Sequence, residues 1–137
     1  MDKSVYTFPY QQKQTEFGDS INPLITLSVK TVYGFQSVWL LVDSGADMTL
    51  LNCKLAKQFG IPFDIHKKTI IYGIGDTPLN AYPGKITLKF DQQEIAVRSY
   101  FLESEDSTLL LGRLDIFDRF IICFDPFKKQ ITFKLVQ

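Results

Sequence analysis

Apolar and polar positions alternate in short runs along this chain, and helical spacing is scarce. SVYTFPY reads as a first strand, followed by a polar link through Asp19. PLITLSVKTVYGFQSVWLLVD reads as a hairpin that turns near Tyr33-Gly34. MTLL resumes as a strand, and Asn52 then stands where an N-cap belongs, ahead of a short helix CKLAKQF closed by Gly60 with Pro62 beyond it. KKTIIYGIGDTPLNAYPGKITLKF reads as a longer hairpin whose tip is Gly73-Ile74-Gly75-Asp76. DQQ turns the chain into the strand EIAVRSYFL, and an acidic loop, ESEDS, leads to the compact apolar run TLLLG. RLDIFDRF is compatible with a second short helix, and FIICFD and QITFKLV form a last hairpin around Pro126. These elements predict a mainly β fold, closed or barrel-like, with one or two short helices. There is no internal repeat, low-complexity tract or linker, so residues 1–137 read as a single domain, the first twenty being a first strand and possible N-terminal extension.

One stretch breaks the pattern. LLVDSGADMTLL, Leu40 to Leu51, runs from apolar residues into a polar knot and back out again. Aspartate and glycine are poor strand residues, and an ionised carboxylate costs several kcal/mol to bury unless it is compensated. A turn in which Asp43 caps its own backbone is the plainer reading. The flanks weaken it, because turns at exposed hairpin ends rarely carry apolar runs close on both sides. A polar knot held against a core needs partners, and partners there suggest a site. It is no serine-hydrolase elbow, because Val42 stands where G-x-S-x-G requires its first glycine.

Composition changes the picture mainly by exclusion. Hydrophobic residues make up 45% and charged residues 22%, an ordinary balance for a folded globular chain. Fifteen basic and fifteen acidic side chains cancel, which gives no electrostatic case for nucleic acid or an anionic membrane. The first residues lack the apolar core of a signal peptide and no run approaches a membrane span, so a cytoplasmic protein is expected. Cys53 and Cys123 lie far apart in apolar settings and read as small buried residues in a reducing compartment. With one histidine, His66, beside Lys67 and Lys68, there is no metal constellation, and no cofactor is implied. His66 reads as a solvated loop residue, and so do the acids Glu103, Glu105 and Asp106.

Four segments in order now carry a family likeness. VDSGAD resembles the catalytic segment of aspartic peptidases, and the chain length points to retropepsins, the retroviral proteases and their cellular relatives. YGIGD resembles their flap tip, LLLGR the hydrophobic-hydrophobic-Gly-Arg segment before the family's short helix, and FIICFDPFKKQITF the closing hairpin of cellular members. The resemblance implies a small acid-protease barrel with a flap hairpin, active as a twofold homodimer on an extended polypeptide. Asp43 would be catalytic. With no second D-[ST]-G in the chain, the other carboxylate of the pair would be Asp43 of the neighbour.

Ser44, Gly45, Ala46 and Asp47 would form the rest of the active-site loop, with Ser44 bonding across to the partner. Asp47 and Arg113 would make a bidentate pair that braces that loop against the second helix. Tyr72, Gly73, Ile74, Gly75 and Asp76 would form the substrate-covering flap, with Asp76 departing from the glycine of retroviral flaps. Two rival readings remain: a retropepsin fold kept as a dimerisation or peptide-binding module with little turnover, and an unrelated monomeric β-barrel with the knot as a rim turn.

Overall fold

The structure, a computed structural model, describes residues 4–105 and 108–136, so Asp106 of the acidic loop lies outside the described residues. β1 (Val5–Pro9) is followed by β2 (Gln11–Thr15) and β3 (Gly18–Asn22), then by the long hairpin β4 (Leu24–Thr31) and β5 (Gly34–Val42). β6 (Thr49–Asn52) runs into α1 (Cys53–Phe59). β7 (Thr69–Tyr72), β8 (Pro78–Phe90) and β9 (Gln93–Leu102) form a meander, and β10 (Leu110–Leu111), β11 (Phe120–Asp125) and β12 (Gln130–Leu135) complete the order.

Strands β4-β5-β10-β6-β9-β8 are hydrogen-bonded in that sequence, and β8 also pairs with β4 through Ser28 opposite Lys89 and Val29 opposite Leu88. The ring therefore closes into the expected barrel. Its interior is the alternation read from the sequence: Ile25, Leu27 and Val29 face in from β4, Val38, Leu40 and Val42 from β5, and Ile86, Leu88 and Phe90 from β8. Beside the barrel lies a three-stranded sheet, β1-β12-β11, in which the two ends of the chain pair with each other, Val5 opposite Lys134 through Pro9 opposite Gln130. Aromatic packing seals this sheet to the barrel. Phe90 meets Phe120 at 4.8 Å, Phe133 at 5.5 Å and Tyr6 at 5.5 Å between ring centroids.

Local chemistry sets the helix where the sequence places it. Asn52 is extended, and its side-chain oxygen accepts from the Leu55 N–H at 2.7 Å, while Gly60 at φ 67° ends the helix. Two expectations are corrected. The polar link through Asp19 is a hairpin of its own, β2–β3, paired from Gln11 opposite Asn22 to Thr15 opposite Gly18. It escapes periodicity because neither face is buried, so nothing forces alternation. The second helix is a kinked five-residue turn, Arg113–Phe117, with Leu114 extended and Asp115 at φ 68°. No helix among the described residues is long and apolar enough to cross a membrane.

Candidate active site

The 43–48 loop joins β5 to β6, two strands consecutive in the chain that are not neighbours in the sheet. β10 lies between β5 and β6, parallel to the first (Leu111 beside Val42) and antiparallel to the second (Leu110 beside Leu50). It thus holds both the strand that enters the loop and the strand that leaves it. The Leu41 N–H donates to the Leu109 carbonyl at 2.9 Å, and the Asp43 N–H to the Leu111 carbonyl at 3.0 Å.

Within the loop, the Gly45 N–H donates to Asp43 Oδ1 at 2.9 Å and the Ala46 N–H to the Asp43 carbonyl at 3.2 Å. A Cβ on Gly45 would sit 3.2 Å from that same Oδ1, so only glycine keeps the amide this close without crowding the carboxylate. The other Asp43 oxygen has no partner among the described residues.

The sequence predicts a knot held against the core, and the chain by itself does otherwise. Asp43 and Ala46 are half-buried, whereas Ser44, Gly45 and Asp47 are exposed. The burial signal belongs to the flanks, Leu40, Val42 and Leu51, which fill the barrel.

Arg113 makes the predicted bracing contact with a different geometry. Its fork is split: Nη1 donates to the Ser44 carbonyl at 2.7 Å and Nη2 to Asp47 Oδ1. A bidentate grip on Asp47 would leave the Ser44 carbonyl without this donor, and the split grip joins the two sides of the loop instead. Backbone bonds add to it, from Arg113 N–H to the Ala46 carbonyl at 2.9 Å and from Leu114 N–H to the Asp47 carbonyl at 3.0 Å.

Beneath this, Gly112 lies against the chain at Met48. A Cβ there would fall 2.3 Å from the Met48 carbonyl oxygen, and the Gly112 N–H donates to the Thr49 hydroxyl at 3.1 Å.

A second ion pair, absent from the sequence reading, anchors the turn that carries Arg113. Buried Asp115 accepts from Arg98 Nε at 2.9 Å, from Arg98 Nη2 at 2.8 Å and from the Arg98 backbone N–H at 2.9 Å. Strand alternation in EIAVRSYF puts Arg98 on the outer face, but nothing in the sequence marks a partner 17 residues on. The Arg98 side-chain bonds hold the Asp115 carboxyl down at about 2, against an ordinary 3.8.

Because the folded value is depressed, this pair stabilises above about pH 4 and its contribution is lost as pH falls toward 2. The shift corresponds to about 2 kcal/mol, which screening around the exposed guanidinium discounts toward 1 kcal/mol. Urea unfolding at pH 5 and pH 2.5 should therefore show a steeper loss for the parent than for Asp115→Asn. Equal losses would remove the pair from the acid response.

The hairpin tip stands well out from the barrel. The Gly73 N–H donates to the Thr77 carbonyl at 2.9 Å, Gly75 and Asp76 take φ 75° and 59°, and Tyr72, Ile74 and Asp76 are exposed. Ile70, Tyr72 and Ile74, alternate residues of β7 and its turn, are all exposed.

Other residues fall partly as expected. His66 is exposed, and Glu103 is exposed yet organised, accepting from Tyr82 at 2.6 Å and Asn80 at 3.3 Å. The Tyr82 bond, first of these, holds the Glu103 carboxyl below its usual range. Cys53 is half-buried, its thiol pushed up by burial. Cys123 is exposed, correcting the buried reading, because β11 turns that residue outward at the edge of its sheet. No group of three or more His, Cys, Asp or Glu among the described residues has metal-binding geometry. A cleft of about 380 Å³, lined by Cys53, Tyr82 and Glu103 among others, contains none of the loop or hairpin-tip residues.

Residues 29–113 match the family model of the aspartyl proteases. No curated protein matches the sequence. Among solved structures, a retropepsin-like aspartic protease from Rickettsia conorii superposes with a TM-score of 0.58 at 16% identity, covering 96% of this chain and 91% of the other. The retroviral protease-like domain of Ddi1 from Leishmania major gives 0.56 at 16% identity, with 85% and 94% covered. The inhibitor-bound EIAV protease gives 0.53 at 20% identity, with 67% and 82% covered. At such identities the likeness establishes the fold, which is that of the retropepsins.

Proposed function

This chain belongs to the aspartyl protease family, and from that premise we propose that it is a homodimeric aspartic endopeptidase acting on extended polypeptides. The observation that carries the proposal is the Asp43-Ser44-Gly45 loop, fixed from below by β10 and from the side by Arg113, with one carboxylate oxygen unengaged. Each chain has one such loop, and the catalytic unit is two, related by a twofold axis, with residues 1–137 acting as one domain in each subunit.

Two carboxylates about 3 Å apart cannot both ionise and share a proton, as those of aspartic proteases do as a class. The ionised member takes a proton from a water held between them, and the water oxygen bonds to the scissile carbonyl carbon. The protonated member gives its proton to the carbonyl oxygen. The tetrahedral diol then collapses. The carboxyl that took the water's proton gives it to the nitrogen, and the other, now ionised, takes a proton from a diol hydroxyl. The carbon–nitrogen bond breaks, which restores the singly protonated pair. Ser44 and Ala46 keep the two loops rigid, and Gly45 lets the backbone approach the carboxylate.

The 72–76 tip acts as a flap. Its glycines supply pliability, and Ile70, Tyr72 and Ile74 offer an apolar surface to the peptide while closure excludes water.

The test is the purified chain incubated with an unstructured polypeptide between pH 3 and 8, with products read by mass spectrometry and with and without a statine inhibitor. Such inhibitors mimic the hydrated carbonyl, so inhibition is expected along with cleavage. Peptide binding with no cleavage at any pH would leave the fold as a binding module.

A further inference from the structure

We propose that the β2–β3 hairpin is a second substrate arm, which receives the polypeptide where it runs out past the Asp43 loop and pairs with it along a free strand edge. The inference rests on the peptidase reading and adds to it how much of the substrate beyond the scissile bond is held.

The foot of the hairpin stands beside the Asp43 loop. Leu24 pairs with Leu41, and the Val42 N–H donates to the Pro23 carbonyl at 2.8 Å. Asn22, the end of β3, and Asp43 are thus each one residue from the same hydrogen bond. The other leg is tied as well, by the Tyr10 N–H to the Lys129 carbonyl at 2.9 Å. Five paired positions, from Gln11 opposite Asn22 to Thr15 opposite Gly18, carry the arm roughly 15 Å from this foot. Its tip is fixed by the Thr15 hydroxyl, which donates to the Gly18 carbonyl at 2.6 Å and accepts from the Phe17 N–H at 3.1 Å. Phe17, at the end, is 93% exposed.

Beyond its foot the arm is unsupported within the chain. Residues 12–20 are all exposed, and neither β2 nor β3 has a further strand beside it among the described residues. A two-stranded hairpin with no buried face is marginal in water, and each outer edge offers N–H and C=O groups at alternate residues. An extended peptide satisfies such an edge through its own backbone, whatever its sequence.

The side chains fit that occupant better than a second copy of this chain. Permanent interfaces are apolar at their centre, whereas Gln12, Gln14 and Ser20 are polar and uncharged, able to bond a solvated peptide and release it. The arm's charges, Lys13, Glu16 and Asp19, are of mixed sign. The hairpin also lies outside residues 29–113, so nothing about it follows from the family match.

The test compares two peptides that share one cleavage sequence, the longer carrying about five more residues at each end, the reach of the arm. In the parent, kcat/KM should be about tenfold or more higher for the longer peptide, because two or three added backbone hydrogen bonds hold remote parts of the substrate. A variant with Gln12 to Ile21 replaced by Asn-Gly, which closes the hairpin at its foot, should cleave both peptides at the parent's rate for the short one. In the unaltered protein, amide exchange across residues 11–22 should slow on adding a long statine peptide and stay unchanged with a short one. That readout needs neither a variant nor turnover.

A shortened variant that keeps the length preference would overturn the arm. So would one that dissociates or cleaves the short peptide more slowly, since the hairpin would then brace the partner or the loop. If peptide is hydrolysed and residues 11–22 gain no protection from the long statine peptide, the arm fails and the peptidase reading stands. If that peptide protects them in a protein that never hydrolyses peptide, the arm stands and the peptidase reading fails.

Discussion

If the proposed shared-carboxylate site is right, Asp43→Asn should abolish peptide hydrolysis while leaving the fold and the oligomeric state of the parent in place. The substitution keeps the side chain's shape and the oxygen that accepts from the Gly45 N–H, so the loop retains its internal turn. What disappears is the capacity to take and give a proton. In the proposed symmetric dimer both carboxylates go at once. A positioned acid or base contributes about 10²–10⁴-fold, and losing both should lower kcat/KM by about 10⁴-fold or more.

Mixing the variant into the parent at fixed total concentration adds a test of shared chemistry. If one carboxylate from each chain is required and subunits exchange freely, activity follows the square of the parent fraction, so an equal mixture retains about a quarter. A linear fall to about half would mean that each chain works alone. Turnover by the pure variant within about tenfold of the parent would take Asp43 out of the chemistry altogether.

The second large effect is structural. Gly112→Ala places a methyl group 2.3 Å from the Met48 carbonyl oxygen, 2.4 Å from its carbon and 2.9 Å from the Thr49 nitrogen. All three are backbone atoms, so no side-chain rotation relieves the contact. Either β10 moves away from the start of β6, breaking the bond to the Thr49 hydroxyl, or the loop shifts with it. Overpacking of this severity costs about 3 kcal/mol, which for a chain of this size lowers the thermal midpoint by about 10 °C. Arg113 follows Gly112 directly, so hydrolysis should fall further than the loss of folded protein explains. A midpoint within about 2 °C of the parent would mean that the Met48–Thr49 backbone yields to the added methyl at little cost.

Much of this was legible in the sequence because one face of most strands is buried. Alternation in LITLSV and in KITLKF located β4 and β8, and Asn52 with Gly60 bounded α1 to the residue. The candidate active-site loop stood out through local chemistry, carboxylates and glycine between two apolar runs. Legibility failed where neither condition held. The β2–β3 hairpin has no buried face to impose a period.

The turn at Arg113–Phe117 looked helical because Leu114 and Phe117 stand three apart, as residues on one helix face do. Asp115 overrides that spacing by turning inward to Arg98. That pairing spans 17 residues and two elements, and no local pattern encodes it. The split fork of Arg113 was hidden for a related reason. A carbonyl acceptor such as that of Ser44 has no side-chain signature, so the sequence points only to Asp47.

The pairing of β1 with β12 also bears on how the protein comes into being. Val5 and Lys134 meet across nearly the whole chain, so during synthesis the opening strand emerges long before its complement exists. Tyr6 and Phe8, which end up packed against Phe90 and Phe133, must wait in water until then. Contacts of such wide sequence separation slow folding, and an apolar strand left waiting is open to wrong partners. Nascent chains halted before residue 130 should thus be the species that chaperones hold and that aggregate most readily.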